Sequence, residues 1–413
     1  MDFTNRIQYN IKGFVFANEV IFMKKIKIKF IENNFRLLVI ALSHFVNDIH
    51  SAFLPTFIPI IVEQLGIGYG QAGLLKSLSG IIHMLIQPMA GYMSDSFSRP
   101  YAIVAGPFMT AFGASMLPLS HSYGMAFLFV GLWSMGSAIY HPLGNGGVGH
   151  IVPPWKLASS LAIFSVGGVL GATISPLYAI TLYKIFGPTF LLPLGAMIPV
   201  AVVSYLIWKT FPTLSSNNSK DKPSPLNFLQ TTMRVFKTIF PIWTVSVSRD
   251  TATQGIKFFL PLLIASKGGN IVDIGTILFI ISIIGAISPI LGGRLADKLG
   301  DKKVIIVVMT LAPVFLLPAA LTEGLTSIAL YVVGIALLQA ILPVTGAAAQ
   351  KKAPESRSVV ASLVGGLAYG LGGILVAPLG IFADIWGLEA TLSFIALLPW
   401  LPMSLFFLRR KSL

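Results

Sequence analysis

The sequence predicts an all-α membrane protein, with twelve transmembrane helices in two pseudo-symmetric six-helix bundles. Three observations predict this. Of 413 residues, 55% are hydrophobic and only 11% are charged, against about 25% charged in a soluble domain. So few charges cannot cover a soluble surface, so the bilayer is the expected solvent. Apolar stretches of about 20 residues, enough to cross the hydrocarbon core, recur along the whole chain. Finally, a shift of 202 residues superposes landmarks of the first half on the second.

Residues 1–34 are expected to form a cytoplasmic basic arm. The stretch from Phe14 to Met23 is apolar but broken by Asn18 and Glu19. No small-residue cleavage site follows, so it is a poor secretory h-region. Met23 opens Met-Lys-Lys-Ile-Lys-Ile-Lys, the form of a bacterial start, and residues 1–22 are expected to come from an upstream start. The alternative for this arm is a basic amphipathic segment lying on the membrane surface.

The N-terminal bundle, 35–208, holds spans at 36–62, 71–93, 101–120, 124–148, 157–183 and 188–208. A polar cytoplasmic linker at 209–235 follows, marked by Ser215-Ser216-Asn217-Asn218-Ser219-Lys220-Asp221-Lys222-Pro223. The C-terminal bundle, 236–413, holds spans at 236–264, 274–295, 303–321, 325–350, 358–383 and 388–408 and ends in a short basic tail. Many interiors carry glycine, as at Gly167, Gly168 and Gly171, and at Gly370, Gly372 and Gly373. Such residues weaken a helix in water but let helices approach closely in lipid.

Basic residues orient the spans. With the N-terminus in the cytoplasm, the inner segments receive most of the 29 Lys and Arg residues, and the outer loops receive only Lys184 and Lys267. This positive-inside pattern places both termini in the cytoplasm of a multi-pass inner-membrane protein. It also accounts for the net charge of +14 without nucleic acid, because basic loops meet anionic headgroups. Cysteine is absent, so there is no disulfide framework and no thiolate metal site. The expected partners are protons, a small-molecule substrate and the bilayer, for a monomer with no cofactor and no metal.

The offset of 202 places Asp48 on Asp250, Pro59 on Pro261, Gly73 on Gly275, Gly91 on Gly293, Asp95 on Asp297 and Pro176 on Pro378. Gly, Pro and Asp have backbone or charge roles, so matches at one constant offset indicate a parallel duplication of a six-helix unit. Gly91-Tyr-Met-Ser-Asp95-Ser-Phe-Ser-Arg99 lies between spans two and three. Gly293-Arg-Leu-Ala-Asp297-Lys-Leu-Gly300-Asp-Lys302-Lys303 lies between spans eight and nine. Both resemble the loop signature of the major facilitator superfamily, Gly-x-x-x-Asp-x-x-Gly-Arg/Lys, with Ser98 at the second glycine of the first copy. Ser43-His44-Phe45-Val46-Asn47-Asp48 with Leu54-Pro55, and Gly136-Ser-Ala-Ile-Tyr140-His141-Pro142, are similar to the fosmidomycin-resistance type of efflux protein. In that type an acidic residue generally follows the His-Pro of span four, and here Leu143 stands there. The resemblance implies a proton-coupled drug exporter. It also implies that Gly91, Asp95, Arg99, Gly293, Asp297 and Lys302 act in gating, latching helices at their cytoplasmic ends.

Charges inside a bilayer are costly and mark function. In span one, His44, Asn47, Asp48 and Ser51 share one helical face by their i, i+3, i+4 and i+7 spacing. Asp48 lies ~18 Å in from Arg36, at ~1.5 Å per residue, near the midplane. Span seven carries Arg249, Asp250, Thr253, Gln254 and Lys257, and the repeat sets its polar face against that of span one. Asp48, His44 and Asp250 are therefore the proton-coupling candidates. A carboxyl that alternates between a dry site and a cation's neighbourhood loads and releases a proton. The alternative for Asp48 is a static ion pair with Arg249, and the alternative for Asp250, the neighbour of Arg249 in the chain, is that it only neutralises that cation. Arg249 and Lys257 are the candidates to hold an anionic group, and snorkelling to the outer interface is the alternative for Lys257. Asn47, Thr253, Gln254, His83 and His141 complete the expected substrate site, and either histidine could instead shuttle protons or bond between helices.

The leading functional expectation is proton-coupled export of a small anionic or amphipathic compound. Uptake of an anionic metabolite by symport or facilitation is the second. A membrane enzyme or sensor is disfavoured, because the sequence shows no clustered catalytic groups, no His-rich metal spacing and no output domain.

Overall fold

The computed structural model describes residues 34–93, 101–152, 157–211, 225–356, 359–360 and 362–403. Twelve helical segments run through them. In the first half these are α1 (Asn34–Leu65), α2 (Tyr69–Met93), α3 (Tyr101–Met116), α4 (Tyr123–Ile151), α5 (Leu157–Phe186) and α6 (Leu191–Thr210). The second half holds α7 (Pro225–Ser266), α8 (Ile271–Leu299), α9 (Asp301–Leu321), α10 (Gly324–Lys352), α11 and α12. α11 begins as a π-helical turn, Ser362–Leu367, and continues through Ala368–Ile374 and Val376–Trp386. α12 runs from Leu388 to Leu397 and into a 3₁₀ turn, Leu398–Trp400.

Among the described residues, eight stretches are long and apolar enough to cross a membrane, and Ser362–Met403, which contains both α11 and α12, is one of them. α2, α3 and α7 are not among the eight, for physical reasons. α3 has only 16 residues. α2 carries Gln71, Lys76, His83 and Gln87, and α7 carries Arg234, Lys237, Arg249, Asp250 and Lys257. The polar load of α2 and α7 marks them as walls of an internal site.

An even number of crossings puts residues 34 and 403 at the same end of the bundle. The opposite, distal end is well tied. Ser122 caps α4, its side chain accepting from the Met125 N–H at 3.3 Å, and Asn270 with Asp273 forms a capping box on α8. Lys267 bridges Glu323 and Glu389 at 2.6 Å each, joining the α7–α8 and α9–α10 connections to the first turn of α12. Its hydrogen bonds hold the Glu323 carboxyl below the usual range. These groups are exposed, so solvent screens each pair heavily and they fix the loop geometry more than the stability.

The two halves meet along two seams, α2 against α11 and α5 against α8. Gly73 and Gly275, partners in the 202-residue repeat, stand at them. A Cβ on Gly73 would lie 2.7 Å from the Val376 carbonyl oxygen, and one on Gly275 would run into Ile180 beside the Pro176 carbonyl. Only a hydrogen side chain permits this approach. Across the first seam the Ser77 hydroxyl donates to the Ile374 carbonyl at 2.7 Å. Asp384 of α11 accepts from the N–H groups of Tyr69 and Gly70 at 2.6 and 2.8 Å, so a carboxylate of one half caps the first turn of α2 in the other. These contacts lie where α2 and α8 begin and where α5 and α11 end, which is the distal side.

Some sequence expectations fall elsewhere. α6 extends to Thr210 and α7 starts at Pro225, so helix enters both ends of the stretch read as a linker. Asp95 and Arg99 lie outside the described residues, and Gly91 is in the last turn of α2. Gly293 faces open space, and Lys302 is exposed. Asp297 is also exposed and has no ion-pair partner among the described residues. An ion pair that is made at that end is Lys351–Asp301, at 2.7 Å between α10 and the first turn of α9.

Candidate functional site

A cavity of about 440 Å³ opens between the halves, walled by α1, α2, α4 and α5 on one side and by α7, α8, α10 and α11 on the other. Among the residues that line it are Asp48, Ser51, Lys76, His83, Gln87, Ser137, His141, Gln254, Lys257, Gln339 and Tyr369. Of the sequence candidates, Asp48, His83, His141, Gln254 and Lys257 thus reach the cavity.

Asp48 is the hub of the first wall. Its Oδ2 lies 3.2 Å from His44 Nε2, one helical turn away, and its Oδ1 lies 3.6 Å from His141 Nε2 of α4. Asn47 donates to Oδ1 at 2.9 Å, while Thr110 of α3 donates to Asn47 Oδ1 at 3.0 Å and holds that amide in place. His44 Nδ1 faces the Phe164 carbonyl of α5 at 2.8 Å, and its ring stacks on that of Phe164. A carbonyl only accepts, so Nδ1 carries hydrogen. The Nε2–Oδ2 contact then needs one further proton, on the imidazole or on the carboxyl. His44 and Asp48 are thus built to share a proton.

Contacts continue from this pair. The Ser137 hydroxyl lies 3.3 Å from His141 Nε2 and 3.4 Å from His83 Nε2, and His83 Nδ1 donates to the Ser79 carbonyl at 2.8 Å. A line of exchangeable groups therefore runs from α2 through α4 to α1. His44, Asp48 and His141 also form a set of metal-ligand types, with one ligand atom from each lying within 4.8 Å of the others. The sequence read no metal spacing because this set joins two helices far apart in the chain.

The second wall departs from the sequence reading. Arg249 does not line the cavity. It is 1% exposed, and its Nε and Nη2 donate to Asp250 Oδ1 at 3.0 and 2.7 Å. Its Nη1 donates to Thr345 of α10 at 3.0 Å. The static ion pair weighed as the alternative for Asp48 is not made, because Arg249 pairs with Asp250, the alternative weighed for that residue. Thr253 and Asp250 are buried beside Arg249, off the cavity surface, as Asn47 is in the first half. The reason is helical drift. At about 100° per residue, residues four apart slip by about 40°, so Arg249 points about 140° away from Gln254. Gln254 faces the cavity and donates to the Tyr369 carbonyl at 2.7 Å.

The cation the sequence reading missed is Lys76, on α2. It lies over the Tyr369 ring at 5.7 Å and faces the same cavity as Lys257 of the other half. Neither lysine has a carboxylate partner among the described residues. Its signal was available, since Lys76 is the one Lys or Arg within the apolar stretch 71–93, and an intramembrane charge is a functional candidate by default.

A transporter is the class that this architecture defines: duplicated six-helix halves enclosing a polar cavity within a membrane fold. Residues 40–377 match the Major Facilitator Superfamily, and the chain belongs to that family. It is 26% identical over 373 residues to the fosmidomycin resistance protein of Escherichia coli strain K12, across 89% of this chain and 91% of that one. It is 26% identical over 286 residues to the multi-drug resistance efflux pump PmrA of Streptococcus pneumoniae (strain ATCC BAA-334 / TIGR4), across 67% and 70% of the two chains. The fold is similar to a crystal structure of a bacterial homologue of the human lysosomal transporter Spinster, inward-facing and unoccupied. The TM-score is 0.75 at 17% identity, with 92% of this chain and 97% of that one covered.

Proposed function

We propose that this chain is a proton-coupled exporter of a small anion, with His44–Asp48 as the proton site and Lys76–Lys257 as the anion site. One observation carries the reading. A pair arranged to share a proton and two lysines without carboxylate partners border one cavity. Unpaired cations inside a membrane span cost several kcal/mol, a cost that an arriving anion relieves. The lysines belong to opposite halves, so the anion would touch both moving bodies.

By the positive-inside pattern the termini are cytoplasmic and the distal end is external. The contacts of Asp384, Ser77, Gly73 and Gly275 then close the outer side, leaving the cavity to load from the cytoplasm of an inner-membrane monomer. The relatives named for fosmidomycin resistance and multi-drug efflux support outward transport. So does energetics. An anion leaving while a proton enters moves positive charge inward, worth about 2.3 kcal/mol per charge per 100 mV.

A second reading has its own observation. Protonating His44–Asp48 adds positive charge to a cavity already holding two lysines, which by itself favours proton and anion binding together, as in a symporter. Proteoliposomes holding a pH-sensitive dye, with fosmidomycin as the anion, separate the two. Proton flow opposite to the anion marks export by exchange, and flow in the same direction marks symport. Anion flux that leaves luminal pH unchanged would remove the proton from the cycle.

A further inference from the structure

We propose that His44, Asp48 and His141 also form a binding site for a divalent transition-metal ion of the zinc type. The inference rests on side-chain geometry and goes beyond the proposed function.

Two imidazole nitrogens and one carboxylate form a donor set suited to zinc, cobalt or nickel rather than magnesium or calcium, which prefer oxygen. Tetrahedral zinc with bonds of about 2.0–2.1 Å needs ligand atoms about 3.3 Å apart. His44 Nε2 to Asp48 Oδ2 is 3.2 Å, and His141 Nε2 to Asp48 Oδ1 is 3.6 Å. These distances run to the two different oxygens of the carboxylate; with a single oxygen as ligand, the other two edges of the site are within 4.8 Å, so closing it takes a shift of roughly 1.5 Å or less along each.

The surroundings fit as well. The Phe164 carbonyl on His44 Nδ1 is the kind of outer partner that fixes a metal-binding imidazole, turning Nε2 toward the ion. Asn47 steadies the carboxylate in the same way. Asp48 and His141 open onto the cavity, leaving a fourth position for water. Binding is balanced by release of a proton. The one shared by His44 Nε2 and Asp48 Oδ2 leaves for cavity water, and both atoms turn their lone pairs to the ion. A proton and the metal therefore cannot occupy the pair together.

The test uses tag-free full-length protein in detergent, titrated with Co²⁺ and Zn²⁺ with no transport substrate present. Titration calorimetry should give one ion per chain, and Co²⁺ should show a visible ligand-field spectrum. His141→Ala and His44→Ala should each weaken binding by more than about tenfold while eluting as wild type on size exclusion. His121→Ala, in an exposed loop, should bind as wild type. Affinity should fall about tenfold per unit of falling pH, as displacement of one proton requires. No stoichiometric binding by folded wild type, binding that survives both histidine substitutions, or pH-independent affinity would each overturn the proposal. Because binding is read without transport, these outcomes are independent of whether the anion flux proves proton-coupled.

Discussion

Asn47 and Arg249 hold the same position in the two halves, one residue before a carboxylate, and each donates to the Oδ1 of its neighbour. Asn47 Nδ2 lies 2.9 Å from Asp48 Oδ1, and Arg249 Nη2 lies 2.7 Å from Asp250 Oδ1. The duplication has kept the geometry and changed the charge. An amide beside Asp48 leaves that carboxyl free to gain and lose a proton with His44. A guanidinium beside Asp250 supplies a permanent counter-charge and makes the second copy a structural ion pair.

The two sites should therefore fail differently when one charged member of each is neutralised. Asp48→Asn keeps the shape and removes the titration, so gradient-driven transport is expected to stop while substrate counterflow continues in vesicles holding equal amounts of folded protein. Arg249→Leu strips Asp250 of its counter-charge and should cost about 3–5 kcal/mol, read as lower yield and a lower Tm in detergent. Wild-type gradient-driven transport by Asp48→Asn would move the proton site to another group, with His83 the next candidate along the Ser137 contacts.

The two lysines should act on affinity. Lys76→Gln and Lys257→Gln each remove a charged donor from the cavity, and a hydrogen bond to a charged group contributes about 1.5–3 kcal/mol. Kd for fosmidomycin should rise by about 10–100-fold in each variant. Arg249→Lys should leave Kd nearly unchanged, since Arg249 is turned away from the cavity. A larger effect at Arg249 than at Lys76 would reverse this assignment.

Gly168 tests how tightly the proton pair is housed. A Cβ there would lie 2.8 Å from Asp48 Oδ2 and would press on the His44 ring. Alanine suits a helix better than glycine by about 1 kcal/mol, yet the overlap should cost about 1–3 kcal/mol and part His44 from Asp48. Gly168→Ala is expected to fold, to bind the anion through the lysines, and to couple poorly to a pH gradient. Full coupling in that variant would show that the 3.2 Å contact is dispensable.

The sequence resolved some parts of this molecule better than others, for physical reasons. Glycine, proline and aspartate at a fixed offset exposed the duplication, because each is constrained by backbone or charge and resists drift. His44 and Asp48 were legible as a pair because i, i+4 spacing alone brings them together. Partnership across helices was not legible. No periodicity tells that His141 of α4 reaches Asp48, or that Thr345 of α10 takes the remaining donor of Arg249, whereas Asp250 beside Arg249 in the chain was already readable as its neutralising partner. Lys76 was passed over because one charge in an apolar stretch reads as part of a span until the facing lysine is seen.

The distal closure rests on Asp384, and that sets up the last prediction. Its carboxylate caps the first N–H groups of α2 from across the seam, where a helix N-terminus favours negative charge by about 0.3–1 kcal/mol at an exposed position. Asp384→Asn keeps the size and loses that preference, so the population open at the distal end should rise by roughly two- to fivefold. The chain has no cysteine, so a single cysteine at Ser51, on the cavity wall, reports opening cleanly to a membrane-impermeant maleimide added from the distal side. Asp273→Asn is the control. It breaks a capping box of similar strength inside the second half alone, so it should lower Tm without changing the labelling rate. Faster labelling in Asp384→Asn than in Asp273→Asn identifies the carboxylate as a latch between the halves. Equal rates in the two variants would reduce it to an ordinary helix cap and leave the closure to the packing at Gly73 and Gly275.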